Sequence, residues 1–208
     1  MVTEWLEQRA REGLPEVSVR VVSIDPGGRV FLTCFDAQTG EYIELGPTRP
    51  GCGGQGVGDD WAGDLDAEKK RACIHDARAK AAKERGDAPG VRIEESKAKR
   101  ARRRFKHKRA HMHRLTARWL VENYDVILIG ELDLHGIRRK INAATGTRRA
   151  FGPQAARRLD NLAHAQFEAA LVNAARLKGC VVVYASERGT TKTCGLCLHV
   201  DENVGARK

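Results

Sequence analysis

The chain has 208 residues, with 37 Lys and Arg against 27 Asp and Glu, a formal net charge of +10. That length suits one domain with a small appendage and is enough to bury a core. No run of about 18 apolar residues occurs, so no transmembrane helix is expected, and the basic balance favours a polyanion such as nucleic acid or an acidic membrane surface.

Residues 1–16 read as the remnant of a preceding region, with Glu4–Glu12 as the end of a helix stopped by Gly13 and Pro15. Met1–Arg11 has no apolar h-region, so no signal peptide is expected. The six cysteines (Cys34, Cys52, Cys73, Cys180, Cys194 and Cys197) are scattered apart from one Cys-x-x-Cys pair. In an unsignalled chain this predicts a reduced, intracellular protein whose pair serves metal or redox chemistry.

Three short strands come next. Val17–Ile24 ends in Asp25, and Pro26-Gly27-Gly28 turns the chain, a way to hold one acid rigidly at the edge of a site. Arg29–Phe35 is apolar and β-branched, Asp36–Gly40 forms a turn, and Glu41–Leu45 alternates. Short connections predict an antiparallel meander. Gly46–Gly63 is rich in glycine and predicts a mobile loop or linker.

Asp64–Arg85 predicts a charged helix with sparse anchors at Leu65, Ala72 and Ile74, and Gly86–Ser96 a break. In the next helix, Lys97–Asn123, Phe105, Met112 and Trp119 step by seven with Leu115 between them, one apolar stripe. No acid occurs from Ser96 to Val121, while Lys97, Lys99, Arg100, Arg102, Arg103, Arg104, Lys106, Lys108, Arg109 and Arg114 crowd the first half. Like charges at i,i+4 repel, so an all-basic face predicts an external anion, most simply phosphates. A solvated face or a nuclear-import run has the same composition.

Val126–Ile129 is wholly apolar and predicts a central parallel strand, followed by Glu131 and Asp133. His135–Arg158 is basic and irregular, with Arg138, Arg139, Lys140, Arg148, Arg149, Arg157 and Arg158. Leu159–Leu177 predicts an amphipathic helix, with Leu159, Ala163, Phe167, Ala170, Ala174 and Leu177 on one side, stopped at Lys178-Gly179. Cys180–Tyr184 predicts a fifth strand, running into Glu187. Three antiparallel strands and then helix-connected strands are the layout of an RNase H-like fold, although length and period leave other α/β folds open.

Asp25, Glu131 (with Asp133) and Glu187 thus stand at three strand ends. Clustered carboxylates repel, and a divalent cation relieves them. Two Mg²⁺ ions about 4 Å apart would suit phosphodiester hydrolysis. Near the C-terminus, Cys194 and Cys197 supply half of a tetrahedral Zn²⁺ site, with His199 as a weak third ligand. A redox pair is the other reading of these two cysteines.

Four stretches, in this order, carry a resemblance. Val21–Gly28 resembles the "Val-x-x-Ile-Asp-Pro-Gly" start of RuvC-like nuclease domains. Thr116–Ile129 resembles their bridging helix running into the fourth strand. Asn161–Phe167 is similar to a helix with a His and a Phe three apart, His164 and Phe167. Glu187–Cys194 is similar to the segment that opens their zinc ribbon. Together they resemble TnpB/OrfB-type transposon nucleases and their eukaryotic and viral relatives, the Fanzor proteins, over about residues 17–205.

The resemblance implies an α/β, RNase H-like (RuvC) fold, a mixed five-stranded sheet with flanking helices, over residues 17–187, and an incomplete zinc ribbon over 188–208. It implies an RNA-guided, Mg²⁺- or Mn²⁺-dependent DNA endonuclease of a mobile element. DNA and a guide RNA would be its partners, with no membrane partner and a nuclear location in a eukaryote. Asp25 matches the first catalytic Asp. The family's Glu position aligns with Gly130, one residue before Glu131, and Fanzor-type proteins use a Glu just before the ribbon instead, here Glu187. Glu187 is therefore favoured over Glu131. Leu198 stands where the family has Gly. The third Asp and the guide-recognising N-terminal part have no counterpart, so a chain cut at both ends, with little or no nuclease activity, is expected. A non-catalytic, basic nucleic-acid-binding remnant is the rival reading.

Overall fold

A computed structural model describes residues 19–28, 30–46, 55–57, 61–130 and 153–185. The meander forms as expected. β1 (Val21–Pro26), β2 (Leu32–Asp36) and β3 (Tyr42–Leu45) pair antiparallel in sequence order. The glycine-rich stretch is not all loop. A three-residue strand within it, β4 (Gln55–Val57), adds to β3 in parallel. Among the described residues the sheet therefore has six strands rather than five, in the order β4-β3-β2-β1-β5-β6.

Two long helices follow, α1 (Trp61–Glu84) and α2 (Ala88–Asn123). The expected break at 86–96 shrinks to a short turn. Gly86 takes a positive φ of 72°, which suits glycine. Asp87 then caps α2, its carboxylate accepting from the Gly90 N–H at 2.9 Å, with Pro89 in the first turn where its missing N–H costs nothing. The ion pairs match low α1 numbers to high α2 numbers (Arg102–Asp76, Lys108–Asp64), so the two helices run antiparallel.

β5 (Val126–Gly130) pairs in parallel with β1 on one side and β6 (Val181–Ala185) on the other. It is the central parallel strand its apolar sequence predicts, whereas β6, equally apolar, is a half-buried edge strand. The single helix expected over Leu159–Leu177 is two helices, α3 (Pro153–Leu162) and α4 (His164–Lys178). Ala163 separates them in the left-handed region, φ 50°. The two segments therefore do not share one continuous stripe. Leu159 and Phe167 are buried, and Leu177 is 84% exposed.

One buried cluster joins Val22 and Ile24 of β1, Leu32 and Cys34 of β2, and Ile127 and Ile129 of β5 with Leu120 of α2 and Phe167 and Leu171 of α4. Met112 belongs to it and Phe105 and Trp119 pack against it, but Leu115 of the expected stripe points to solvent. Strand alternation sends Ser23 and Asp25 to the face opposite Val22 and Ile24. No helix among the described residues is long and apolar enough to cross a membrane.

Candidate nucleic-acid and metal interface

Asp25 is the fifth residue of β1, opposite Thr33 of β2. It is exposed, yet partial desolvation at the strand end raises its carboxyl above the ordinary carboxylate value. Among the described residues it accepts no hydrogen bond and pairs with no cation. Such a carboxylate suits one ligand position on a divalent cation, because no described residue competes for its oxygens. The described residues supply this ligand and no group of three His, Cys, Asp or Glu for a complete metal site.

Register fixes what stands beside it. Ile24 pairs with Ile129, so the next position on β5 level with Asp25 is Gly130, and Gly130 pairs with Ala185 of β6. Three adjacent parallel strands thus end at one edge of the sheet, and among these three Asp25 is the only acid at that level; on the meander side Glu44 of β3 stands in the same row, beyond Thr33. Glu131, Asp133 and Glu187 lie outside the described residues, as do Cys194, Cys197 and His199 of the expected ribbon, Arg138, Arg139, Lys140, Arg148 and Arg149 of the second basic segment, and residues 1–16.

The turn after Asp25 is held from both sides. The Gly27 N–H donates to the Phe31 carbonyl at 3.1 Å, and the Gly27 carbonyl accepts from His164 Nε2 at 2.9 Å. A carbonyl only accepts, so His164 carries its proton on Nε2. The ring is buried and lies parallel to Phe31, centroids 5.2 Å apart. Burial drives its pKa down to about 4, against the hydrogen bond it donates to Gly27 and with a further lowering from His113.

His113 of α2 is a second buried imidazole parallel to Phe31, at 5.7 Å. Its Nε2 donates to the Leu162 carbonyl at 2.8 Å, an acceptor that the break at Ala163 leaves without a helical partner. Burial lowers its pKa too, opposed by that hydrogen bond and aided by nearby Arg109. The sequence shows His113 only as one of several histidines in a basic run. His164 is marked by its spacing to Phe167, but its contact with the turn 137 residues earlier is not legible there.

The basic helix divides into two sets. Against expectation, α1 supplies acids to one of them. Glu68, 2% exposed, sits among Arg71 at 3.0 Å, Lys108 at 3.4 Å and Arg104 at 3.5 Å. Lys108 also meets Asp64, Arg102 meets Asp76, and Lys97 meets Glu94 one turn away. Arg109 lies over the Phe105 ring at 5.1 Å. Of these, Arg102, Arg104 and Lys108 tie α2 to α1 across the helical hairpin.

The second set is Arg92, Lys99, Arg100, Arg103, Lys106 and Arg114, exposed and without an ion pair among the described residues. At 3.6 residues per turn they fall within about 120° of the circumference, and at 1.5 Å per residue they span about 33 Å. Lys99, Arg100 and Arg103 line one groove with Ser96, Arg104 and His107. Arg157 and Arg158 belong to α3, where Arg158 meets Asp66 at 3.4 Å. Buried Asn161 ties α3 to α1 further, donating to Asp66 at 2.6 Å and accepting from Lys69 at 2.7 Å.

No protein-family model matches the chain, and no curated protein matches it. Among solved structures, a Cas12f1–sgRNA–target DNA complex is similar at 14% identity and a TM-score of 0.47, over 88% of this chain. The chain spans 40% of the length of that protein.

Proposed function

We propose that this chain is the core of a RuvC-like nuclease domain of the TnpB/Fanzor kind, binding nucleic acid along α2 and a divalent cation at the sheet edge that carries Asp25. The observation that carries the reading is the sheet itself. The order β3-β2-β1-β5-β6, with a meander on one side of β1 and parallel strands on the other, is that of RNase H-like folds. Its edge gathers the ends of the three strands that the sequence follows with acids.

Of the two Glu candidates, Glu187 is preferred to Glu131 on the resemblance alone, since the family's Glu position aligns with Gly130. On this reading Asp25 and Glu187 hold Mg²⁺ or Mn²⁺, which would polarise a phosphodiester and activate water. DNA and a guide RNA are the proposed partners, residues 17–187 the nuclease core, and Zn²⁺ at Cys194 and Cys197 part of a ribbon over 188–208.

The α2 cations that make no ion pair among the described residues are the proposed phosphate track. Fluorescence anisotropy with labelled single-stranded and duplex oligonucleotides, from 50 to 300 mM salt, tests it. Binding is expected to weaken with salt, and the variant K99Q/R100Q/R103Q/K106Q to lower the log–log slope by about 3, at 0.7–0.9 per phosphate contact. An unchanged slope contradicts the assignment. Binding without chemistry is a second reading, favoured by the completeness of this track when the described residues hold one carboxylate of the acidic edge. Divalent-metal binding that depends on Asp25 separates the two.

A further inference from the structure

Asp25 owes its direction to its backbone. Among the described residues its carboxylate has no hydrogen-bonding or charged neighbour, so no side chain orients it. Before Asp25, the chain is fixed by ladders to β2 and β5. After it, Pro26 restricts φ, and the turn returns to β2 through the Gly27 N–H and the Phe31 carbonyl. One side-chain hydrogen bond reaches that turn among the described residues, from His164 Nε2 to the Gly27 carbonyl.

The donor is itself held. His164 is 4% exposed, its ring lies against Phe31, and the residue that precedes it, Ala163, forms the break between α3 and α4. Leu159 of α3 packs on the same turn, 3.4 Å from where a side chain on Gly28 would begin. The junction of two helices is thus anchored on the backbone two residues beyond Asp25.

We propose that His164 is a positioning residue for Asp25, its Nε2–H holding the Gly27 carbonyl, and hence the β1–β2 turn, in the geometry at which the Asp25 carboxylate meets a divalent cation. This rests on reading Asp25 as a metal ligand. An imidazole suits the task because it delivers one donor from a flat ring wedged by packing, with two side-chain torsions to freeze.

The test is Mn²⁺ binding to the full chain, followed by electron paramagnetic resonance, with far-UV circular dichroism to check folding. D25N is expected to abolish the tight site. H164F keeps a ring against Phe31 but has no donor, and is expected to weaken Mn²⁺ at least tenfold. H164Q places an amide N–H near the Nε2 position and is expected to stay within threefold of wild type. H164N is too short to reach and is expected to behave as H164F.

A folded H164F that binds Mn²⁺ like wild type, while D25N does not, overturns the positioning role and leaves the ligand reading standing. Unchanged binding in D25N overturns the ligand reading beneath it. If H164F does not fold, H164Q and H164N decide. A separation of tenfold between them supports the proposal, and equal affinities overturn it.

Discussion

Acid should loosen this fold well above the pH at which its carboxylates titrate. The perturbation is the protonation of His164, buried and neutral in the native state with a pKa of about 4, against about 6.5 for an unfolded histidine. Because the folded value is the lower one, the unfolded chain binds more protons in this window, and stability falls as the pH drops. The contribution is fully present above about 6.5 and is lost down to about 4. Linkage gives a loss of about 2 kcal/mol between pH 7 and pH 5, and about 3 kcal/mol by pH 4. His113, also lowered by burial, acts in the same direction. Asp36 and Glu94, held below their ordinary values, begin to cost stability only at the lower end of the window, and the raised Asp25 opposes the trend there. Urea unfolding at pH 7, 6 and 5, followed by tryptophan fluorescence, reads the effect. H164F should be less stable at pH 7 for want of its hydrogen bond, and its pH slope should be flatter by about 2 kcal/mol at pH 5. Wild-type stability that is flat from pH 7 to 5, or an unchanged slope in H164F, would show that protonation of buried His164 does not set the acid response.

Three substitutions probe the supports of the two interfaces. Tyr124→Phe removes the hydroxyl that donates to buried Asp36 at 3.1 Å, and should cost about 1–2 kcal/mol in urea unfolding. Glu68→Ala takes the shared acid from Arg71, Arg104 and Lys108. Those cations keep part of their hydration, so a loss of about 2 kcal/mol is expected, less than for a fully buried pair, with the helical hairpin melting first in hydrogen exchange. Gly27→Ala would put a Cβ 2.7 Å from the Val30 carbonyl oxygen, so the turn must move. Its expected cost is about 1–3 kcal/mol in thermal unfolding, and Mn²⁺ affinity should fall with it.

The strands were legible where pattern and length agree. The meander follows from alternation and short turns, and Val-Ile-Leu-Ile predicts the burial and parallel pairing of β5. β4 escaped because three residues among glycines cannot show a period of two. Pro89 and Gly90 read as a break, yet a proline in the first turn after a capping Asp87 is also how a helix begins. Nothing local marks Ala163 as left-handed. The position is imposed by contacts made elsewhere, with His113 taking up the Leu162 carbonyl. The charge of α2 was legible but its division was not, because Asp64, Glu68 and Asp76 meet its cations across a helical hairpin. Asp25 at the strand end was expected, but Gly130 and Ala185 at its level required the register.

The acidic edge at the end of β1 is tested by titrating Mn²⁺ into wild type, D25N, E187Q and E131Q, read by electron paramagnetic resonance. One saturable site is expected, which D25N and E187Q each weaken at least tenfold and E131Q leaves within threefold of wild type. Mn²⁺ binding that none of the three changes would contradict a metal site at the end of β1.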